Sequence, residues 1–336
     1  MASIAPSPLA PAQRYGLPIP VGWYHLCPAD ELAPGAVRTL TLFGGQWVLF
    51  RDQAGTAGVV EPYCRHLGAH LGVGGVVDGA LLRCPFHKWG YDTAGFCRDI
   101  PYARKMPPVL ERAPALRALP VREAAGGIWA WYHPAGAAPD WSLDALVEAV
   151  PADWRQRAGP VHDIHTIAQE IGENSVDGPH LVYVHGQPVV PNGQSQYAGP
   201  LRQTLINTQL PIEGEDGQMH SCDYRLNLQQ WGPGLQILRQ ERYVSLLNIM
   251  TITPLDTALT RLRFTFFHPP YEDGFRQRMI DELIEEQVGQ RGDYAGVEAD
   301  LPIWDNKIYR AQPLLCDGDG PILQYRAWFR QFYPVA

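Results

Sequence analysis

The chain has 336 residues, of which 46% are hydrophobic and 18% charged, with a net charge of −8. That length allows two domains and a generous core, and the composition is globular, neither disordered nor membrane-spanning. No basic excess is available to neutralise phosphate, which excludes a nucleic-acid partner, and no apolar run reaches the roughly 18 residues of a spanning helix.

Residues 1–20 are rich in Ala and Pro and predict a loose arm. The first eight residues have no positive start and no long apolar run, so they do not read as a signal peptide. From Trp23 to Trp131 short alternating runs are split by Gly, Pro and Asp, at 37–43, 46–51, 58–60, 80–83 and 127–132. The Gly44-Gly45 pair between the first two reads as a hairpin turn. This predicts a small all-β domain over 21–135, and the Pro/Ala/Gly-rich crossing that follows predicts a linker over 136–160.

The rest, 161–336, reads as α+β. A helix is expected to carry the stretch from Glu173 to His185, and strands are expected at 235–238, 244–252 and 260–267. From Asp273 to about Arg310 the period is helical. Phe275, Met279, Ile280, Leu283 and Ile284 make its apolar face, while Glu282, Glu285 and Glu286 face solvent. Residues 325–333 predict a packed closing helix.

Six cysteines are present. A chain this long does not need disulfides, and a cytoplasmic location with reduced thiols is expected. Cys27, Cys97, Cys222 and Cys316 read as small buried hydrophobes. Cys64 and Cys84 differ, because each has a histidine close by. Cys64-Arg65-His66 and Cys84-Pro85-Phe86-His87 give C-x-H, seventeen residues, then C-x₂-H. Each loop offers one thiolate and one imidazole, the donor set of a Rieske-type [2Fe–2S] cluster. A zinc site fits less well, since zinc patterns group Cys with Cys and His with His. Gly68, Gly72, Gly74 and Gly75 would let backbone N–H groups approach cluster sulfurs, and Pro85 stiffens the second loop. His70 stands at the wrong offset and reads as a loop residue.

The second constellation is Asn174, Asp177, His180 and His185. Two neutral imidazoles with a carboxylate form the facial triad of non-haem Fe(II) oxygenases. Five residues of ideal helix turn through about 500°, so His180 and His185 would not face the same way. Gly178-Pro179 offers an irregularity that could re-aim them. Glu298, Asp300 and Asp305 are the late acids from which a carboxylate ligand could come. Without a preceding electron-transfer module, a buried and a surface histidine would be the ordinary reading of such a pair.

The C-R-H and C-P-F-H-x-W loops and the N-x-x-D-x-x-H-x₄-H stretch resemble those of Rieske non-haem iron oxygenases. The resemblance runs from Trp23 to Tyr333. The stretches 99–104, 303–307, 313–321 and 325–333 are most similar to the group containing the oxygenase component of 3-ketosteroid 9α-hydroxylase and the cholesterol 7-desaturases. The departures lie mostly in 186–240. The resemblance implies a Rieske domain followed by a helix-grip-like antiparallel sheet with helices. It implies one [2Fe–2S] cluster on Cys64, His66, Cys84 and His87, and one Fe(2+) on His180, His185 and Asp300, with Asp305 the rival ligand. Asp177 would bridge His87 of one chain to His180 of the next in a homotrimer, and Asn174 would act beside the iron or in the pocket. It further implies a separate NAD(P)H-dependent reductase or ferredoxin and the use of O₂. The reaction would be hydroxylation, demethylation or desaturation of an apolar, steroid-like substrate. No G-x-G-x-x-G in strand-to-helix context suggests a nucleotide site in the chain itself. Two other readings stay open: a plain Rieske electron carrier, and an inactive subunit that keeps the fold.

Overall fold

The structure, a computed structural model, describes residues 10–187, 190, 193–213, 217–291 and 294–334. The first eight residues therefore lie outside it. The chain divides into two compact units, Val21–Leu143 and Met1–Pro20 with Asp144–Ala336.

The first unit is built from three small antiparallel sheets. Strands β1 (Gly22–Pro28), β10 (Val121–Ala124) and β11 (Gly127–Tyr132) make one, in the order β1-β11-β10. Strands β2 (Val37–Leu42), β3 (Gly45–Arg51), β4 (Ala57–Val60) and β9 (Ala118–Leu119) make the second. Strands β5 (Val76–Asp78), β6 (Leu81–Arg83), β7 (Gly90–Tyr91) and β8 (Cys97–Asp99) make the third, and a short helix α2 (Pro108–Arg112) closes the unit. The β2–β3 turn falls one residue earlier than the glycine pair suggests, on Phe43 and Gly44, which have φ of 55° and 75°. Two positive φ values match the twist of a two-residue hairpin. Phe43 is held there by stacking on Tyr132, with ring centres 4.4 Å apart.

The second unit is a seven-stranded antiparallel sheet in the order β12-β18-β17-β16-β15-β14-β13. The strands are β12 (Arg155–Ile164), β13 (Gln194–Ala198), β14 (Leu201–Glu213), β15 (Met219–Trp231), β16 (Leu235–Glu241), β17 (Ser245–Pro254) and β18 (Thr260–His268). The stretch 136–160 thus contains helix α3 (Asp144–Ala149) and the start of β12. Helices α4 (Ala168–Glu173), α6 (Gly274–Val288) and α8 (Ile322–Phe329) share one core with the sheet. Ile171, Phe264, Phe266, Ile280, Leu283, Tyr325 and Phe329 all belong to it. β14 and β15 pair along their whole length, whereas β13 covers only 201–205 and β16 only 225–231. Beyond those limits the hairpin is a two-stranded ribbon among the described residues.

Three expectations need correction. The helix from Asp273 ends at Val288, and the chain continues through β19 (Gln290–Arg291), β20 (Tyr294–Ala295), a 3-10 turn and the short helix α7 (Leu301–Trp304). The chain folds back on the end of α6: Gly296 N donates to the Gly289 carbonyl, and a Cβ on Gly296 would sit 2.5 Å from the Gln287 carbonyl carbon. The N-terminal arm is not loose after residue 10. Helix α1 (Pro11–Tyr15) places Arg14 and Tyr15, both 5% exposed, against the second unit. Of the four cysteines expected to be buried, Cys27 and Cys97 are; Cys222 is half-buried and Cys316 exposed. Burial pushes the Cys97 thiol up to about 11, so it stays protonated at neutral pH.

Candidate metal centres

In the first unit, two loops of matching geometry hold the four Cys and His side chains. In each, the cysteine carbonyl accepts from the residue four on: Gly68 N to Cys64 O at 3.0 Å, and Lys88 N to Cys84 O at 3.1 Å. In each, the cysteine N–H donates to the carbonyl five on, Ala69 or Trp89. Both turns need a left-handed residue at the same position, supplied by Gly68 (φ 75°) and by Lys88 (φ 61°). The loops therefore present their cysteines alike, with the histidines displaced by one residue.

Cys64 and Cys84 are 3% and 1% exposed, and the Cys84 thiol lies beside that of Cys64. The His66 and His87 ring centres are 4.7 Å apart. His66 Nδ1 is buried without a hydrogen-bond partner. A buried ring nitrogen left unpaired is costly unless something binds it. Two buried thiols, two converging imidazoles and that nitrogen fit a [2Fe–2S] cluster with two Cys and two His ligands.

The supporting side chains were only partly visible beforehand. His66 stacks on Trp89 with the planes 5° apart, and Trp89 Nε1 donates to the Tyr102 hydroxyl at 2.8 Å. The fully buried Tyr91 hydroxyl lies 3.1 Å from Cys64 Sγ and accepts from Arg65 N at 3.2 Å. Trp89 stands in the quoted loop motif, but nothing in the sequence marks Tyr91. His70 Nδ1 accepts from Gly72 N, a loop role.

In the second unit the stretch from Glu173 to His185 is not one helix. Helix α4 is followed by a 3-10 turn (Asn174–Val176) and then α5 (Gly178–Tyr183). Asp177 is the N-cap of α5 and accepts from His180 N at 3.4 Å. Pro179 lies in the first turn, where its missing N–H costs nothing. So Gly178-Pro179 starts the helix and does not re-aim the histidines. The re-aiming happens at the other end. His185 N reaches His180 O at 3.4 Å, an i→i+5 turn, and Gln187 N bonds Leu181 O across Gly186, φ 74°. A widened last turn brings residues five apart onto one face.

The result is a compact triad. His180 Nε2 and His185 Nε2 are 3.0 Å apart, and His185 Nε2 is 3.2 Å from Asp300 Oδ2. Donor atoms of all three residues lie within 4.8 Å of one another. An octahedral ion with bonds of about 2.1 Å holds adjacent donors about 3.0 Å apart, so the two separations at His185 match adjacent ligands of one metal ion. The His180 Nδ1–H donates to the Asp177 carbonyl at 2.5 Å, which leaves Nε2 with its lone pair toward the triad. Asn174 Nδ2 donates to Asp300 Oδ1 at 3.0 Å, which orients the carboxylate. Asp305 is elsewhere: its carboxylate accepts from His165 N at 2.8 Å and is 43% exposed.

The triad borders a cavity of about 330 Å³. Ile171, Leu226, Leu228, Leu238, Met250 and Phe264 supply much of its apolar wall. Glu286, expected to face only solvent, also lines it.

Residues 22–117 match the Rieske [2Fe-2S] domain, and residues 130–333 match the 3-Ketosteroid 9alpha-hydroxylase C-terminal domain. A probable 3-ketosteroid-9-alpha-monooxygenase oxygenase component of Rhodococcus rhodochrous is 31% identical, over 96% of this chain and 81% of that one. Cholesterol 7-desaturase nvd 1 of Ciona intestinalis is 29% identical, over 94% of this chain and 68% of its own. Among solved structures, a mutant of NdmA from Pseudomonas putida with caffeine superposes with a TM-score of 0.68 at 19% identity, covering 92% of this chain and 89% of that one. Dicamba monooxygenase with non-heme iron and dicamba gives 0.66 at 16% identity, covering 93% and 96%. At those identities the structural likeness speaks for the fold. Among the described residues no helix is long and apolar enough to cross a membrane.

Proposed function

Since the chain belongs to the Rieske oxygenases with a 3-ketosteroid 9α-hydroxylase-type catalytic domain, we propose that it acts on a steroid-like, apolar substrate with O₂ and electrons from a separate NAD(P)H-dependent reductase or ferredoxin. The observation that carries this is the His180–His185–Asp300 triad opening on the apolar 330 Å³ cavity. The cluster supplies single electrons and the mononuclear iron supplies a site for oxygen activation.

The chain's own residues do the rest. Cys64, Cys84, His66 and His87 would hold the cluster, and the Tyr91 hydroxyl would bond the Cys64 sulfur. His180, His185 and Asp300 would hold the iron. Asn174 fixes the Asp300 carboxylate, and the Asp177 carbonyl fixes the His180 tautomer. The apolar wall orients the substrate and keeps water out.

The remaining part of the reading is assembly. A homotrimer is proposed in which the Asp177 carboxylate bridges to His87 of a neighbouring chain. In support, large apolar side chains are exposed beside both partners of that bridge. Leu67 and Phe86 flank the cluster histidines at 65% and 61%, and Tyr183 stands between the iron histidines at 87%. A carrier would need only the first unit and would leave the seven-stranded sheet and the triad without a purpose.

The test is metal analysis followed by turnover. About three irons per chain are expected, two of them in the cluster. With a generic reductase and a panel of steroids, NADH-dependent product should appear by mass spectrometry. Two irons per chain and no oxygen consumed on any substrate overturn the reading.

A further inference from the structure

The cavity beside the triad carries an inference about its occupant, resting on the oxygenase reading above. Three polar side chains stand on its sheet floor: Thr204, Gln236 and Asn248. The Thr204 hydroxyl is bonded to Ser195 and Arg202. Gln236 and Asn248, 4% and 5% exposed, each keep one polar atom without a partner, Gln236 Nε2 and Asn248 Oδ1.

The orientation of Asn248 follows from a chain of amides. Its Nδ2 donates to Gln287 Oε1 on α6 at 2.6 Å, and Gln287 Nε2 donates to Gln240 Oε1 at 2.9 Å. With Nδ2 committed, Asn248 presents an acceptor. Gln236 presents a donor. Gln230, opposite Gln236 on β15, bonds Tyr325 and Gly232 through its own amide nitrogen, and its Oε1 does not meet Gln236 Nε2. In the β16–β17 register, Gln236 faces Met250 and Leu238 faces Asn248. Gln236 and Asn248 are therefore diagonal neighbours on one face, with Cβ atoms about 7 Å apart or less. Both atoms are closed off as the side chains stand, so a hydroxyl reaches the pair through a small rotation of the two amides.

A buried donor and a buried acceptor, both unpaired, carry a desolvation penalty that a ligand group can relieve. We propose that Gln236 and Asn248 form a receptor for a hydroxyl group on the otherwise apolar substrate. The hydroxyl oxygen accepts from Gln236 Nε2, and its hydrogen goes to Asn248 Oδ1. A ketone at the same place accepts from Gln236 but turns its lone pairs toward Asn248 Oδ1. The cavity thus selects an alcohol over the ketone of the same skeleton.

The test is calorimetric titration of the iron-loaded protein, without oxygen or reductase, using 5α-androstan-3β-ol and 5α-androstan-3-one. The alcohol is expected to bind about tenfold tighter, as a site that pairs both atoms of a hydroxyl should favour it. Asn248→Leu should bring the two affinities together. Asn248→Asp, which keeps an acceptor, should retain the preference for the alcohol. Gln236→Leu should weaken both probes, by about fivefold or more. The cluster absorbance and iron content of each variant verify that it has folded. Equal affinities in the parent protein, or an undiminished preference in Asn248→Leu, overturn the hydroxyl receptor and leave the oxygenase reading standing. Full-strength alcohol binding in Gln236→Leu overturns the donor half. If neither probe binds, both the receptor and the steroid-like substrate fall, while the iron count still tests the metal centres separately.

Discussion

Asp300 and Asp305 are five residues apart and have different surroundings. Asp300 is 5% exposed, faces His185 and accepts from Asn174. Asp305 is half-exposed and holds the backbone of His165. Asp300→Ala is expected to lose the mononuclear iron while the visible spectrum of the cluster stays unchanged. Asp305→Ala should keep both metals, and iron analysis separates the two outcomes. Glu170 makes a second single-residue prediction. It is 1% exposed, and burial raises its pKa, with the nearby Lys307 ammonium opposing that shift. A carboxyl whose folded pKa is raised binds its proton more tightly in the native state. Its contribution is present at low pH and is lost as pH rises from the ordinary carboxylate range through the folded value. Glu170→Gln removes that loss. Relative to the parent, its melting temperature should rise as pH is raised above the ordinary carboxylate range. A difference that does not change with pH would count against the shift.

At the scale of elements, the N-terminal helix acts on the segment that carries Asp300. Arg14 bonds the carbonyls of His165, Asp305 and Lys307, and the Tyr15 hydroxyl donates to His165 O and lies 3.2 Å from Trp304 O. These carbonyls include those left open at the C-terminal end of α7. Arg14→Ala should strip the Asp305 and Lys307 carbonyls of this charged donor, while His165 O keeps the Tyr15 hydroxyl, at a cost of about 1–3 kcal/mol in all. Faster loss of the mononuclear iron on dialysis, with the cluster spectrum intact, is the expected sign. This role was hidden in an Ala/Pro-rich sequence that carries no helical period. The first unit was more legible, because its strands are short, largely buried apolar runs bounded by turn residues and its metal loops keep fixed spacings. Strands β14 and β15 were not legible for a specific reason. The cavity side of β14 carries buried Arg202 and Thr204, while Leu205 is 52% exposed, so the usual alternation is inverted. His180 and His185 were legible as a pair, but the i→i+5 turn that aligns them is a backbone arrangement with no residue signature.

For the whole molecule, the central issue is how the two metal centres communicate. Asp177 caps α5, and Asn caps a helix about as well as Asp. Asp177→Asn should therefore keep the fold, the iron and the cluster. It lacks the second acceptor oxygen that the proposed bridge between chains requires. Rapid mixing of reduced protein with O₂ and substrate should show cluster oxidation slowed by at least about tenfold. Unchanged oxidation would remove the bridge from the mechanism. The overhanging β14–β15 ribbon offers a different kind of leverage. Side chains alternate between faces, so removing two paired residues from each strand keeps every remaining side chain on its own face. Shortening it by such steps beyond Ile206 and Leu226 leaves in place the cavity-lining residues of both strands among those described, which makes the ribbon the natural place to graft a foreign loop or an affinity tag.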